Sequence, residues 1–187
     1  MIPQTSPFLK LRGRNRKDRN KKTQRKIGVI GYVFEEDCFK LDIEEVRKLV
    51  KKFKIAKDND GWKLIEKELI KKRDKWFEQN KKFLELKGSD VEKAYRLILI
   101  KIGIDPNKAP IVEKTKKRIV FHSQNFCPTL QACKILNLDT KKVCKEVFEI
   151  PTDRLVKKIN TKLKFSRNYC KIRPYTNYCE ESIELID

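Results

Sequence analysis

The chain has 187 residues and carries 46 Lys and Arg against 26 Asp and Glu, a formal net charge of +20. This length suits one domain, or one domain with an appendage. Leu, Ile, Val and Phe together exceed the roughly 20% below which a chain is expected to be disordered, and no apolar run approaches the ~18 residues of a membrane span. No apolar segment follows the basic N-terminal stretch, so we expect no secretory signal, reduced thiols and a cytoplasmic location.

The first 26 residues are strongly basic, with 10 basic residues against 1 acidic residue. They contain too few apolar residues to offset the entropy cost of ordering, which predicts a flexible basic arm. Such an arm either binds nucleic acid or another acidic partner, or serves as a solvated tail that keeps the protein soluble. The candidate nucleic-acid-binding residues of the arm are Arg12, Arg14, Arg16, Lys17 and Arg19.

Residues 27–88 are nearly balanced in charge, which is typical of surface helices. Apolar residues recur there with the 3.6-residue period of one helix face, and Asp42 is predicted to cap this first helix. A second helix is predicted over about residues 60–86, with Trp62 and Trp76 on one buried face. The arm, this helical segment and the remainder of the chain are the three expected parts.

Residues 89–187 mix helices and strands, so the predicted fold class is α+β: a helical half followed by a small helix/strand domain. Ser89 and Glu92 form the pattern of a capping box for a helix that ends at Ile102. Two prolines then predict a loop. Further helices are predicted to begin at Pro128, Thr140 and Pro151, and strands are predicted over residues 118–122, 162–167 and 179–186.

Most of the cysteines lie in the C-terminal part of the chain: Cys127, Cys133, Cys144, Cys170 and Cys179. No C-x2-C pair occurs, which disfavours a zinc ribbon, although ligands can converge from separate elements. Cys127 precedes a predicted helix, whose dipole and free N–H groups lower a thiol pKa, so it is the best candidate for a reactive thiolate or a metal ligand. Cys133 and Cys144 lie on apolar helix faces and are equally consistent with small buried hydrophobic residues.

His122 is the single histidine of the chain and ends a predicted strand five residues before Cys127. A catalytic pair of Cys127 and His122 is therefore one option, although a lone histidine is more often structural. Glu180 follows Cys179 directly, so on a strand the two side chains point to opposite faces. The chain contains no GxSxG, HExxH, P-loop or GxGxxG motif, so the common hydrolase, zincin and nucleotide-binding classes lack support.

Four motifs carry a resemblance to a known family: Phe126-Cys127-Pro128-Thr129-Leu130-Gln131-Ala132-Cys133, Val143-Cys144, Leu163-Lys164-Phe165-Ser166-Arg167 and Asn177-Tyr178-Cys179-Glu180. Roughly residues 90–187 resemble the L-2-amino-thiazoline-4-carboxylic acid hydrolase-like proteins and the related 4-vinyl reductase domains. The resemblance implies an α+β domain that encloses a small molecule, with hydrolase-like activity and cysteine-bound metal, zinc or an iron–sulfur cluster, as options. The positions carried over as metal ligands are Cys127, Cys133, Cys144 and Cys179.

Two functional hypotheses from different classes remain. In the first, the C-terminal cysteines build a small-molecule- or metal-binding domain, with or without enzymatic activity. In the second, the protein binds RNA or DNA through the arm and through basic residues that alternate with aromatic ones near the C-terminus. The candidates there are Lys164, Arg167, Lys171 and Arg173. We favour the first hypothesis slightly, because net charge does not explain the clustered cysteines.

Overall fold

The computed structural model describes residues 35–187, with side chains from residue 43 onward. In this part of the chain the elements follow in the order α1 (Glu35–Asn59), α2 (Trp62–Asn80), α3 (Asp90–Ile102), β1 (Ile111–Lys114), β2 (Arg118–Ser123), α4 (Pro128–Leu136), α5 (Thr140–Val143), α6 (Glu149–Val156), β3 (Leu163–Arg167) and β4 (Cys179–Leu185). Short 3₁₀ turns occupy Lys81–Phe83 and Pro106–Lys108. The predicted α+β class, a helical part followed by a helix/strand region, is confirmed.

The first two helices differ from the predicted ones at their ends. α1 begins at Glu35, so Asp42 lies inside the helix and the predicted cap at Asp42 is wrong. α2 ends at Asn80 instead of near residue 86, because the chain tightens into a 3₁₀ turn whose Phe83 is 75% exposed. Phe83 therefore does not continue the buried face that contains Trp62.

The start and end of α3 agree with the sequence. The Ser89 backbone N–H donates to Glu92 Oε2 at 2.8 Å, which satisfies one of the free N–H groups at the helix start. Gly103 follows the helix with a φ of 74°, a left-handed conformation that glycine adopts without steric cost. The buried face of α3, which includes Val91 and Ile98, packs on the sheet.

The four strands form one antiparallel sheet in the order β1-β2-β4-β3. β1 was not predicted, because it is a short edge strand whose side chains are all exposed and therefore lack an alternating pattern. One face of the sheet packs against α3 and α6 and contributes buried residues from three strands: Ile119, Phe121, Leu163, Phe165 and Ile183. We call this the inner face, and the opposite one the outer face.

Residues 140–156 form one continuous helical run instead of the two predicted helices. A π-helical turn, Cys144–Phe148, joins α5 to α6, and the Glu149 N–H donates to the Cys144 carbonyl. Pro151 provides the physical reason, because it lacks an N–H and its ring clashes with the carbonyl four residues earlier in a regular helix. The run begins at Thr140, as predicted, and Asp139 caps it by accepting a hydrogen bond from the Lys141 N–H at 2.9 Å.

All described residues belong to one compact unit. A second apolar cluster joins α1 and α2 to α4, α5 and the π-helical turn, with Phe53, Ile65, Cys133 and Val147 among its members. Side chains of the predicted segment 27–88 therefore pack against side chains of the predicted segment 89–187 in this cluster. None of the described helices combines the length and the apolar composition that crossing a membrane requires.

Candidate functional site

The inner face of the sheet changes from apolar to polar toward one end. Side chains two residues apart share a face of a strand, so Ile119, Phe121 and Ser123 of β2 all point inward. Glu181 of β4 pairs with Phe121 on one side and with Arg167 of β3 on the other. The strand register therefore places a carboxylate, a guanidinium and a hydroxyl beside one another in the interior.

Glu181 accepts hydrogen bonds from both neighbours. Arg167 Nε donates to Glu181 Oε1 at 2.6 Å, and Ser123 Oγ donates to Glu181 Oε2 at 2.8 Å. The side chains of Arg167 and Glu181 are only 12% and 8% exposed. Burial is the largest single influence on Arg167 and opposes its charge, but the charge and hydrogen bond of Glu181, together with the Cys144 and Tyr169 side chains, outweigh it and raise the Arg167 pKa. The guanidinium therefore remains charged inside the domain.

A second guanidinium approaches this pair from α2. Arg73 Nη1 donates to Thr152 Oγ1 at 2.6 Å, and the Thr152 hydroxyl donates in turn to the Phe148 carbonyl at 2.7 Å. Burial, together with the positive charge of Arg167, lowers the Arg73 pKa to about 10. Arg73 is still protonated at neutral pH, so it adds a second positive charge to this region.

Cys127 lies at the start of α4, as predicted, and its sulfur accepts a hydrogen bond from the Leu130 N–H at 3.4 Å. Burial nevertheless raises the pKa of Cys127 and outweighs this hydrogen bond and the positive charges of Arg173 and Arg167. The expectation of a lowered thiol pKa is therefore wrong. Arg173 also holds the loop before α4, because its Nη1 donates to the Asn125 carbonyl at 2.6 Å.

The thiol of Cys144 lies within electrostatic reach of three other thiols. Burial raises its pKa to about 12, the charge of Arg167 opposes this rise, and Cys127, Cys179 and Cys133 add to it. Burial likewise raises the pKa of Cys133 to about 11. Among residues 43–187, however, no group of three or more His, Cys, Asp or Glu side chains is arranged to hold a metal ion. As they are placed, these four cysteines do not fit the shared metal site that the sequence predicts.

Two buried guanidinium N–H groups in this region lack a hydrogen-bond partner within the described part of the chain: Arg167 Nη1 and Arg173 Nε. Most buried polar groups in proteins are paired, and an unpaired charged donor is especially unfavourable. The charges of both arginines act on the Cys127 thiol, and Arg167 also acts on Cys144. We call Arg167, Arg173, Cys127, Cys144 and Cys179 the arginine–cysteine cluster.

His122 lies on the outer face of the sheet, because it adjoins the inward-pointing Ser123 on β2. Its ring stacks on Tyr178 with centroids 3.8 Å apart, and its Nε2 is 3.2 Å from Glu180 Oε2. Cys127 instead has the inner-face groups Arg167 and Cys179 as electrostatic neighbours. The structure therefore corrects the predicted catalytic pair of Cys127 and His122.

The four C-terminal residues proposed for nucleic-acid binding divide into two groups. Lys164 and Lys171 are exposed, and Lys171 pairs with Glu180 at 3.0 Å. Arg167 is internal, because strand alternation turns it inward, so its predicted surface contact with nucleic acid is wrong. Arg173 is partly buried, and its Nη1 donates to the Asn125 carbonyl. The proposed arm residues lie outside the described residues: Arg12, Arg14, Arg16, Lys17 and Arg19.

A surface cavity of about 280 Å³ lies beside the start of α5. Its lining combines three lysines with two carboxylates and one aromatic ring: Lys141, Lys142, Lys145, Asp139, Glu146 and Tyr169. The sequence did not single out these lysines, because a Lys-rich helix resembles any solvated surface. We call this cavity the lysine groove.

No protein-family model, curated protein or solved structure matches the chain. The resemblance to the hydrolase-like and 4-vinyl reductase families therefore stays a prediction. The chemistry of the site rests on its own geometry: charged arginines, protonated thiols and buried donors that lack an acceptor.

Proposed function

We propose that the protein binds a small anionic molecule at the arginine–cysteine cluster. The observation that carries the proposal is the pair of buried, unpartnered N–H groups on Arg167 and Arg173. Carboxylate and phosphate groups are the acceptors that guanidinium groups bind most strongly. The hypothesis of a small-molecule-binding cysteine domain is thereby retained, with an anion as its ligand.

The charge balance of the interior supports the same ligand class. Arg167 and Arg173 both act on the Cys127 thiol, and Arg73 lies within electrostatic reach of Arg167. Among the described residues, Glu181 forms an ion pair with Arg167 alone, although its charge also acts on Arg73. Arg73 feels the repulsion of Arg167 directly, which contributes to its lowered pKa. A buried charge without a counter-ion costs several kcal/mol, to an order of magnitude. An anion bound beside Arg167 and Arg173 would remove part of that cost.

The thiols favour binding over nucleophilic catalysis in this proposal. Burial raises the pKa values of Cys127 and Cys144, so both thiols are protonated at neutral pH. A neutral thiol does not repel an anion and can donate a weak hydrogen bond to it. Because the thiolate is the nucleophilic form, a hydrolase-like step at Cys127 is not part of the proposal.

A panel of small molecules tests the proposal by their effect on thermal unfolding. The panel contains mono- and dicarboxylates, phosphate esters and uncharged amides of similar size, all at one ionic strength. A ligand present at 100 times its Kd adds about 2.7 kcal/mol to the unfolding free energy. We expect anions, and not their amides, to stabilise the wild type, and Arg173→Gln to remove this effect.

Arg154→Gln is the matched control, because Arg154 is exposed on α6 and the substitution changes the net charge equally. It should leave the response to the anion unchanged. If no anion of the panel stabilises the wild type, or if Arg173→Gln responds as the wild type does, the proposal is wrong.

Nucleic-acid binding is the second candidate, and the net charge of +20 favours it. Ten basic residues lie within residues 1–26, and Lys164 and Lys171 are exposed on the described surface. On duplex DNA the slope of log K against log salt is about −0.9 for each neutralised phosphate. Deleting residues 1–26 should therefore flatten the slope by several units with little change in melting temperature. An unchanged slope would show that the arm does not contact the polyanion.

A further inference from the structure

The lysine groove brings together positive charges from one side of a helix. Lys141 and Lys145 are four residues apart, so they lie one above the other on the same face of the helical run, and Lys142 adjoins them. Lys142 is 4.0 Å from Glu146 with a side chain that is 66% exposed, so this ion pair is weak. The lysines therefore remain available to a ligand with several negative charges.

Aromatic rings complete the groove. Tyr169 contributes to its lining, and its hydroxyl is fixed by donating to Glu149 Oε2. Tyr175 lies beside the groove with 60% of its surface exposed, and the Nζ of Lys141 is 4.5 Å from its ring centroid. An exposed ring next to several cations offers a stacking surface and phosphate contacts within the span of a few nucleotides.

We infer that the lysine groove and Tyr175 bind single-stranded nucleic acid. The three lysines contact consecutive phosphates, and one unpaired base stacks on Tyr175. The net charge of +20 favours encounter with such a polyanion. A duplex does not fit equally well, because its bases are already stacked and cannot reach the Tyr175 ring. The three lysines and Tyr175 are not members of the arginine–cysteine cluster, so the inference does not depend on the anion proposed there.

The test uses the full-length protein and fluorescently labelled single strands of RNA and of DNA, with a duplex of equal length as comparison. Affinities are measured by anisotropy over a range of salt concentrations. The first variant replaces all three groove lysines: Lys141→Gln, Lys142→Gln and Lys145→Gln. Its matched control removes the same charge from the exposed side of α2: Lys67→Gln, Lys71→Gln and Lys75→Gln.

We expect the groove variant to lose at least tenfold in affinity and the control variant to lose much less. Three phosphate contacts on a single strand contribute about 2 units of salt slope, so the groove variant should have a flatter slope by that amount. Equal losses in both variants would overturn the inference, because overall charge would then explain the binding.

Variants of Tyr175 distinguish the contribution of base stacking to affinity from that of charge. Tyr175→Ala should weaken single-strand binding by about tenfold without changing the salt slope, and Tyr175→Phe should bind as the wild type does. Duplex affinity should respond to neither change. If Tyr175→Ala leaves single-strand affinity unchanged, or weakens duplex binding equally, no unpaired base stacks there and the inference fails.

Discussion

Glu181→Gln should lower the free energy of unfolding by about 3–5 kcal/mol, the usual cost of breaking one partner of a buried ion pair. Glutamine keeps the size of the side chain; its single carbonyl oxygen can still accept from Arg167 Nε, and its amide N–H can donate to the Ser123 hydroxyl, so the change mainly removes the charge. Glu181 is 8% exposed and lies 2.6 Å from Arg167 Nε, and the positive charge of Arg73 is close by. Without the Glu181 carboxylate, the guanidinium groups of Arg167 and Arg73 repel each other, and its negative charge no longer offsets this repulsion.

A double-mutant cycle measures how much of this loss belongs to the pair. Arg167→Met and Glu181→Leu each leave one buried charge without its partner, whereas the double variant removes both charges and leaves apolar side chains of similar volume. The double variant should therefore be less destabilised than either single variant. Ser123→Ala serves as a control and should cost about 1 kcal/mol, because it removes a neutral donor whose acceptor keeps its charged partner.

Urea unfolding at neutral pH and constant salt provides the free energies for all variants. A loss of less than about 1 kcal/mol for Glu181→Gln, the range of an exposed pair, would show that the Arg167–Glu181 pair does not behave as a buried one. Strictly additive losses in the double variant would contradict the prediction as well, since Arg167 and Glu181 would then not interact in the folded protein.

Three further outcomes can be checked with single substitutions or labelling. Thr152→Val should cost about 1–3 kcal/mol in urea unfolding, because it leaves the partly buried guanidinium of Arg73 without its acceptor, whereas Thr152→Ser should cost less. In peptide-resolved alkylation of the native protein at pH 8, exposed Cys170 should react much faster than Cys144, whose pKa burial raises to about 12; equal rates would contradict the burial. A hydrogen bond from the Asn168 amide, together with those from Lys171 and His122, lowers the Glu180 pKa from 4.5 to about 2. The ionised Glu180 carboxylate therefore contributes fully to stability above pH 4.5, and this contribution is lost as the pH falls toward 2. Glu180→Gln should therefore make acid unfolding less steep in that range, and an unchanged acid profile would count against the pairing.

The elements that local chemistry determines could be predicted from the sequence. Ser89 and Glu92 satisfy the start of α3 with their own side chains, and Gly103 permits its end, so this helix needs no distant contacts to be recognised. The π-helical turn could not be predicted, because it depends on how Pro151 is accommodated within a longer helical run. Edge strand β1 was missed for a different reason, since none of its side chains is buried.

The interior site could be recognised only once the strand register was known. A basic residue near aromatics is ordinarily exposed, so the sequence predicts Arg167 as a surface contact for nucleic acid. The alternation of buried Leu163 and Phe165 is the signal that could have placed Arg167 on the inner face. Its partner Glu181 could be identified only from the pairing of β3 with β4. The raised pKa of Cys127 also depends on burial by distant elements, which a position at a helix start does not reveal.

The pH dependence of binding separates the anion proposal from the predicted metal site. Zinc must displace protons from the thiols, so an affinity for zinc at Cys127, Cys144 and Cys179 would rise by about tenfold per pH unit for each thiol that loses its proton. An anion held by Arg167 and Arg173 needs no deprotonation, because Glu181 raises the Arg167 pKa and keeps that group charged. Calorimetric titrations with zinc alone and with the best anion of the panel, from pH 6 to about pH 8.5, should therefore show anion affinity that stays constant, because burial keeps the Cys127 and Cys144 thiols protonated over this range. Zinc affinity that climbs steeply with pH and disappears in Cys127→Ser would refute the anion proposal in favour of the metal site, because the thiols would then converge on one ion.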